Sequence, residues 1–152
     1  MDLYAELLLE HSKRPRGAGL REPFDGESHQ VNPTCGDEVT LRVRLQDDTV
    51  AEVSHDALGC SISVASASVL AEECGGRPVA DVLAVYTAMR TMLTSRGGDE
   101  GDPETLGDGV ALAGVSRYPA RVKCALLPWV ALVDALARAG VDIATAPTDL
   151  RA

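Results

Sequence analysis

At 152 residues and 45% hydrophobic content, the chain is of single-domain length and can bury a sizeable core without help from a metal. A formal charge of −9 argues against nonspecific nucleic-acid binding and favours basic protein partners or a cationic metal, and no apolar run approaches the roughly 18–20 residues that a membrane span needs. Four cysteines behind a charged opening, Met1-Asp2-Leu3-Tyr4-Ala5-Glu6, that lacks the pattern of a secretory signal point to reduced thiols in a cytoplasmic protein rather than to a disulfide framework.

In chain order, Leu3, Tyr4, Leu7 and Leu8 recur at helical spacing and predict a short surface helix to about Lys13, stopped before Pro15 and Gly17. Residues 17–33 are rich in Gly, Pro and polar side chains and read as loop, with an edge strand near residues 28–31. Val39, Leu41, Val43 and Leu45 alternate with polar residues, the two-residue period of a half-buried strand. Gln46-Asp47-Asp48-Thr49 turns the chain, and a return strand from Val50 to Ala57 is expected to carry Ala51, Val53, His55 and Ala57 on one face.

A helix follows Cys60, marked by Ile62, Ala65, Val69 and Leu70 and ended by Gly75-Gly76. Pro78 opens another, with Val82, Val85, Tyr86, Met89 and Leu93 on its buried stripe. Residues 95–109, rich in Gly and Asp, read as a mobile surface insertion. The last strong helix runs from about Pro119 to Ala139, with Pro128 expected to kink it, and residues 141–152 read as a loosely held tail.

Chemistry concentrates in three short segments: Asn32-Pro33-Thr34-Cys35-Gly36-Asp37, Gly59-Cys60, and Arg121-Val122-Lys123-Cys124. An antiparallel hairpin brings the residues before its first strand next to those after its second, so Cys35 and Asp37 are expected beside Cys60. Cys60 and Cys124 each open a helix, where a thiolate gains from the positive end of the helix dipole. Cys35, Asp37, Cys60 and Cys124 make a four-coordinate set; zinc accepts both sulfur and carboxylate oxygen, and iron–sulfur chemistry is the rival. Cys74 lies about 21 Å along the helix from Cys60 if that helix is continuous, outside any shared coordination sphere. His11, His29 and His55 are expected as surface or half-buried residues, with His29 held in reserve as a ligand because its loop precedes Cys35. Arg121 shares a helix face with Cys124 and is either solvated or a partner for Asp37 or an anionic sulfur species.

These residues resemble the IscU-like family of iron–sulfur assembly proteins, most closely its SufU branch. Residues 4–17 look like the family's amino-terminal helix with its His-x-x-x-Pro ending, and residues 32–37, 59–68 and 121–129 match its three cysteine motifs. The resemblance implies one α+β domain over residues 1–152, a small antiparallel sheet, three-stranded, covered by helices. Scaffold members carry His immediately before the third cysteine, where this chain has Lys123, and the stretch from Gly75 to Arg121 is longer than in scaffolds. Both features favour a zinc-dependent sulfur carrier. That reading implies Zn2+ held by Asp37, Cys60 and Cys124 together with Cys35. It makes Cys35 the acceptor of persulfide sulfur from a SufS-type cysteine desulfurase, which the carrier activates, with Arg121 steadying developing charge and downstream SUF assembly proteins as recipients. The alternative is a scaffold that binds iron or a [2Fe–2S] cluster on the same ligands.

Overall fold

The alternation of apolar and polar residues around Leu41 builds a sheet whose one face is dry. The computed structural model describes residues 3–143. Strands β1 (Gly26–Asn32), β2 (Asp37–Gln46) and β3 (Thr49–Leu58) form an antiparallel meander, joined on the far side of β3 by a two-residue strand β4 (Arg77–Pro78). The architecture is α+β as expected; the sheet has one strand more than the resemblance implied, because the chain pairs again with the start of β3 on its way between two helices. Val39, Leu41 and Val43 of β2 are fully buried, as the two-residue period requires.

The return strand departs from simple alternation. Arg44 pairs with Glu52 and Leu45 with Val50, so Ala51 has no partner in the register. This bulge shifts the side-chain parity along β3: Val50 and Val53 are both buried, and Ala51 is only partly so. A strict alternation read from the sequence put Ala51 on the inner face; the unpaired residue replaces it there with Val50.

Helices cover the inner face. They are α1 (Leu3–Lys13), α2 (Ser61–Cys74), α3 (Val79–Leu93), α4 (Pro103–Leu106), a 3-10 helix (Gly107–Arg117) and α5 (Pro119–Arg138). Helix α5 lies across β1 and β2, and α2 packs on β3 and α5. Trp129, Leu126 and Leu132 of α5 share one apolar cluster with Leu41, Val69, Tyr86 and Met89. Burying each such large side chain contributes about 1.5–3 kcal/mol, against the conformational entropy lost on folding. Close approach of α2 to α5 follows from small residues: Ser63, Ala65, Ser66 and Ala67 are all buried. No helix among the described residues is long and apolar enough to cross a membrane.

The surface segment expected over residues 95–109 holds for residues 95–105, which are exposed or partly exposed, and fails where the chain then turns into the core. Asp102 caps α4 through a hydrogen bond from the Glu104 amide, and Leu106, Gly109 and Val110 are buried. The tight 3-10 geometry explains why no 3.6-residue stripe announces this segment. It also holds α1 in place: His11, which is buried, bonds Ser68 Oγ through Nδ1 at 2.6 Å and Asp108 Oδ2 through Nε2 at 2.9 Å. The expected tail begins at Val141, which with Ile143 packs partly on the core; the remainder lies outside the described residues.

Candidate metal centre

The ends of three elements meet at one edge of the sheet. The β1–β2 connection is a four-residue turn, with Asn32 paired to Asp37 and the Gly36 amide donating to the Asn32 carbonyl at 2.8 Å. Asn32 also accepts from the Thr34 amide at 3.2 Å through its side chain. Cys35 therefore rides on a tight, internally bonded turn. Because Glu38 pairs with Leu58, Asp37 stands opposite Gly59, and Cys60 follows as the N-cap of α2. Cys124 comes from the second turn of α5.

The ligand atoms of Cys35, Asp37 and Cys124 all lie within 4.8 Å of one another. Cys35 Sγ is 3.2 Å from both Asp37 Oδ2 and Cys124 Sγ. Cys60 joins through the carboxylate: its sulfur is 3.4 Å from Asp37 Oδ2, and its amide donates to Asp37 Oδ1 at 3.0 Å. Gly59 makes this approach possible. Its φ is +142°, and a Cβ there would collide with the Asp37 carboxylate. Two residues inside the cysteine motifs, to which the sequence alone assigns no role, complete the site: Ser63 donates to Asp37 Oδ2 at 2.6 Å, and Asn32 Nδ2 approaches Cys124 Sγ at 3.9 Å. A signal for Ser63 is its spacing, three residues after Cys60 and so on the same helix face; Asn32 is marked only as the first residue of the Cys35 motif.

Exposure divides the sulfurs. Cys35 and Cys60 are exposed, whereas Cys124 is buried and Asp37 retains 1% of its surface. Burial alone would raise the Asp37 carboxyl, but hydrogen bonds, Ser63's foremost, outweigh it and hold the group well below its ordinary 3.8. Burial, reinforced by hydrogen bonding to Asp37 and Cys35 and by neighbouring negative charge, pushes the Cys124 thiol up. The proton thus sits on sulfur and the charge on oxygen while only protein surrounds them. A divalent cation inverts that balance, since it favours thiolates outright. Asp37 receives its hydrogen bonds from uncharged groups, so its charge is not cancelled by a guanidinium or ammonium bonded to it. Two thiols and a carboxylate within mutual reach, with the Cys60 thiol outside that group but against the same carboxylate, are donor types that fit zinc.

The other candidates fall elsewhere. Cys74 ends α2 inside the core, its thiol pushed up to about 12 by burial. His29 bonds Thr40 at 2.8 Å and Glu38 at 3.2 Å on the outer face of the sheet, not the thiols. His55 is buried and donates its Nε2–H to the Arg16 carbonyl at 2.7 Å. Arg121 is exposed and lines a groove of about 580 Å³ with Tyr4, Ile62 and Tyr118, a groove to which no cysteine contributes; among the described residues no hydrogen bond or ion pair ties it to Asp37 or a site thiol. Lys123 is exposed as well.

Residues 3–125 match the family model described as the NifU-like N terminal domain. The chain is 37% identical over 137 residues, 90% of each chain, to the zinc-dependent sulfurtransferase SufU of Bacillus subtilis (strain 168). It is 36% identical over 138 residues, 90% of this chain and 84% of the relative, to the iron–sulfur cluster assembly scaffold protein IscU of Streptococcus pyogenes serotype M1. Among solved structures, FiSufU of Fervidobacterium islandicum AW-1, a candidate scaffold protein for the SUF system, superposes with a TM-score of 0.79 at 34% identity, covering 86% of this chain and 94% of that one. The N-terminal part of a nitrogen-fixing NifU-like protein from Brucella abortus gives a TM-score of 0.81 at 25% identity over 91% of this chain and 94% of its own.

Proposed function

This chain belongs to the family of the NifU-like N terminal domain, within the IscU and SufU group of iron–sulfur cluster assembly proteins, and from that premise we propose that it is a cytoplasmic, zinc-dependent sulfur carrier. In this reading Cys35 takes persulfide sulfur from a SufS-type cysteine desulfurase, activates that enzyme, and passes sulfur on to downstream SUF assembly proteins. The observation that carries it is the placing of Cys35: an exposed thiol on a turn, grouped with a buried carboxylate and a buried thiol. Cys60 is also exposed, but it caps α2 and its amide is tied to Asp37. Displacing Cys35 disturbs only a four-residue turn; displacing Cys60 or Cys124 disturbs a helix.

Cys35, Asp37, Cys60 and Cys124 would hold zinc, whose charge keeps the site sulfurs deprotonated. The Cys35 thiolate attacks the outer sulfur of the donor persulfide. The sulfur–sulfur bond of the donor breaks, its electron pair leaves on the donor cysteine, and Cys35 carries the new persulfide. Arg121, exposed in the first turn of α5 three residues before Cys124, offers positive charge to the thiolates formed and consumed in the transfer. Asp37, hard among soft ligands, suits a site that releases a ligand, and Lys123 stands where a scaffold would present an imidazole.

Desulfurase turnover measured with and without this protein tests activation, and mass spectrometry after reaction with desulfurase and cysteine locates the sulfur. Added sulfur on Cys35, lost in Cys35→Ser, is the expected result. Sulfur on Cys124, or purification with stoichiometric iron and labile sulfide in place of zinc, supports the scaffold reading instead.

A further inference from the structure

Helix α2 meets α5 through two buried hydroxyls one turn apart, Ser63 and Ser66, and they do different things. Ser66 serves the fold: it accepts from Trp129 Nε1 at 2.9 Å and donates to the Ala125 carbonyl, touching neither a thiol nor Asp37. Ser63, fully buried, points its hydroxyl between two acceptors that belong to two different ligand residues. One is Asp37 Oδ2 at 2.6 Å and the other is the Cys124 carbonyl at 3.3 Å.

The second acceptor is free for a reason written in the sequence. In an α-helix the carbonyl of residue 124 receives the N–H of residue 128. Residue 128 is Pro, buried inside α5, and has no N–H to give. Pro128 therefore leaves the Cys124 carbonyl without its helical donor, and among the described residues the side chain that donates to it is Ser63.

The first acceptor is the oxygen that faces the sulfurs. Asp37 Oδ1 is taken by the Cys60 amide, whereas Oδ2 lies 3.2 Å from Cys35 Sγ and 3.4 Å from Cys60 Sγ. Rotation of the carboxylate would move Oδ2 away from the thiols, and the hydroxyl of Ser63 opposes that rotation. Ser63 also stands 3.6 Å from Cys60 Sγ, so one side chain borders ligands from β2, α2 and α5.

Building on the zinc reading, we infer that Ser63 is the positioning residue of the centre: its hydroxyl aims Asp37 Oδ2 at the site sulfurs and, through the carbonyl that Pro128 leaves open, fixes the turn of α5 that presents Cys124. Ser63 is not itself a ligand. It acts on the metal through Asp37, as the outer hydrogen-bond partners of metal-binding carboxylates do, and such partners are worth about 10–100-fold in metal affinity.

Zinc affinity, measured by competition against a chromogenic chelator, separates this role from packing. Ser63→Ala is expected to weaken zinc binding by about 10–100-fold, and Ser63→Thr, which restores a hydroxyl, to recover most of that loss. Ser66→Ala is expected to lower thermal stability while leaving zinc affinity within a few-fold of the wild type. Folding of each variant is read from the fluorescence of Trp129, which is fully buried. Pro128→Ala gives an independent reading that does not remove the hydroxyl: it returns an N–H to the Cys124 carbonyl, commits Ser63 to Asp37, and is expected to bind zinc at least as tightly as the wild type. Wild-type affinity in Ser63→Ala, an equal loss in Ser66→Ala, or weaker binding in Pro128→Ala would overturn the inference while leaving the zinc reading intact. A wild-type chain that holds neither zinc nor ferrous iron in the same competition would overturn both.

Discussion

Asp37→Asn exchanges one oxygen for an amide nitrogen, removes one charge and keeps the shape, so it isolates the electrostatics of the centre. The Cys60 amide at 3.0 Å can still find the retained oxygen, and Ser63 at 2.6 Å can accept from the new nitrogen instead of donating. What disappears is charge assistance, since a hydrogen bond to an ionised group contributes about 1.5–3 kcal/mol and a neutral one about 0.5–1.5. Over these two bonds the metal-free protein should lose about 1–3 kcal/mol at neutral pH. For a chain of this length each kcal/mol moves the unfolding midpoint by about 2–4 °C.

The sign of the pH dependence follows from the direction of the shift. The carboxyl is held below 3.8 in the folded state, so its contribution is fully present above that value and is lost progressively as pH falls from there toward the lower folded-state value. The gap between wild type and Asp37→Asn should stay constant from neutral pH to about pH 5 and close in more acidic solution. Thermal unfolding of the chelator-treated proteins, followed by Trp129 fluorescence at several pH values, measures it; zinc competition on the same samples should show weaker binding by the variant. Coincident melting curves at neutral pH together with unchanged zinc affinity would reduce Asp37 to a turn residue and refute the electrostatic account.

Cys74→Ser should leave zinc binding and sulfur acceptance unchanged but cost about 1–3 kcal/mol, because it places a hydroxyl in a fully apolar core; melting and the persulfide assay together check this. In native protein an alkylating reagent should modify Cys35 and Cys60 in preference to Cys74, whose thiol is pushed up to about 12, with peptide mapping as the readout. Gly59→Ala should destabilise the domain and release zinc more readily, since the backbone has φ +142° and a Cβ meets Asp37; retention of metal through gel filtration reports it. His55, whose burial holds its imidazole below 6.5, should withdraw stability as pH drops below that value, because the unfolded chain then takes up the proton first. His55→Gln should flatten that part of the melting profile.

Much of this is legible in the order of the residues alone. The alternation from Val39 to Leu45, the punctuation by Gly75-Gly76 and Pro78, and the apolar stripe of α5 each carry a period that only one secondary structure satisfies. The nearness of Cys35, Asp37 and Cys60 followed from a single antiparallel pairing. Where the sequence misled, the signal was local and the cause was not. Residues 95–102 are the surface loop their composition suggests, but residues 103–110 continue that composition and still turn Leu106 and Val110 into a core built by α3 and α5. His11 and His55 read as half-buried surface groups, and are buried because Ser68, Asp108 and the Arg16 carbonyl come to meet their nitrogens.

The sequence by itself determined which residues are candidates for the chemistry, since thiols, a carboxylate and helix starts can be read from residue types and spacing. Only the tertiary structure decided how those groups differ from one another. Burial of Cys124 beneath exposed Cys35, the opposed tying of the two Asp37 oxygens by Cys60 and Ser63, and the parity change at Ala51 all depend on what approaches from segments distant in the chain. Desolvation and hydrogen bonding are properties of surroundings, and no window of residues contains its own surroundings.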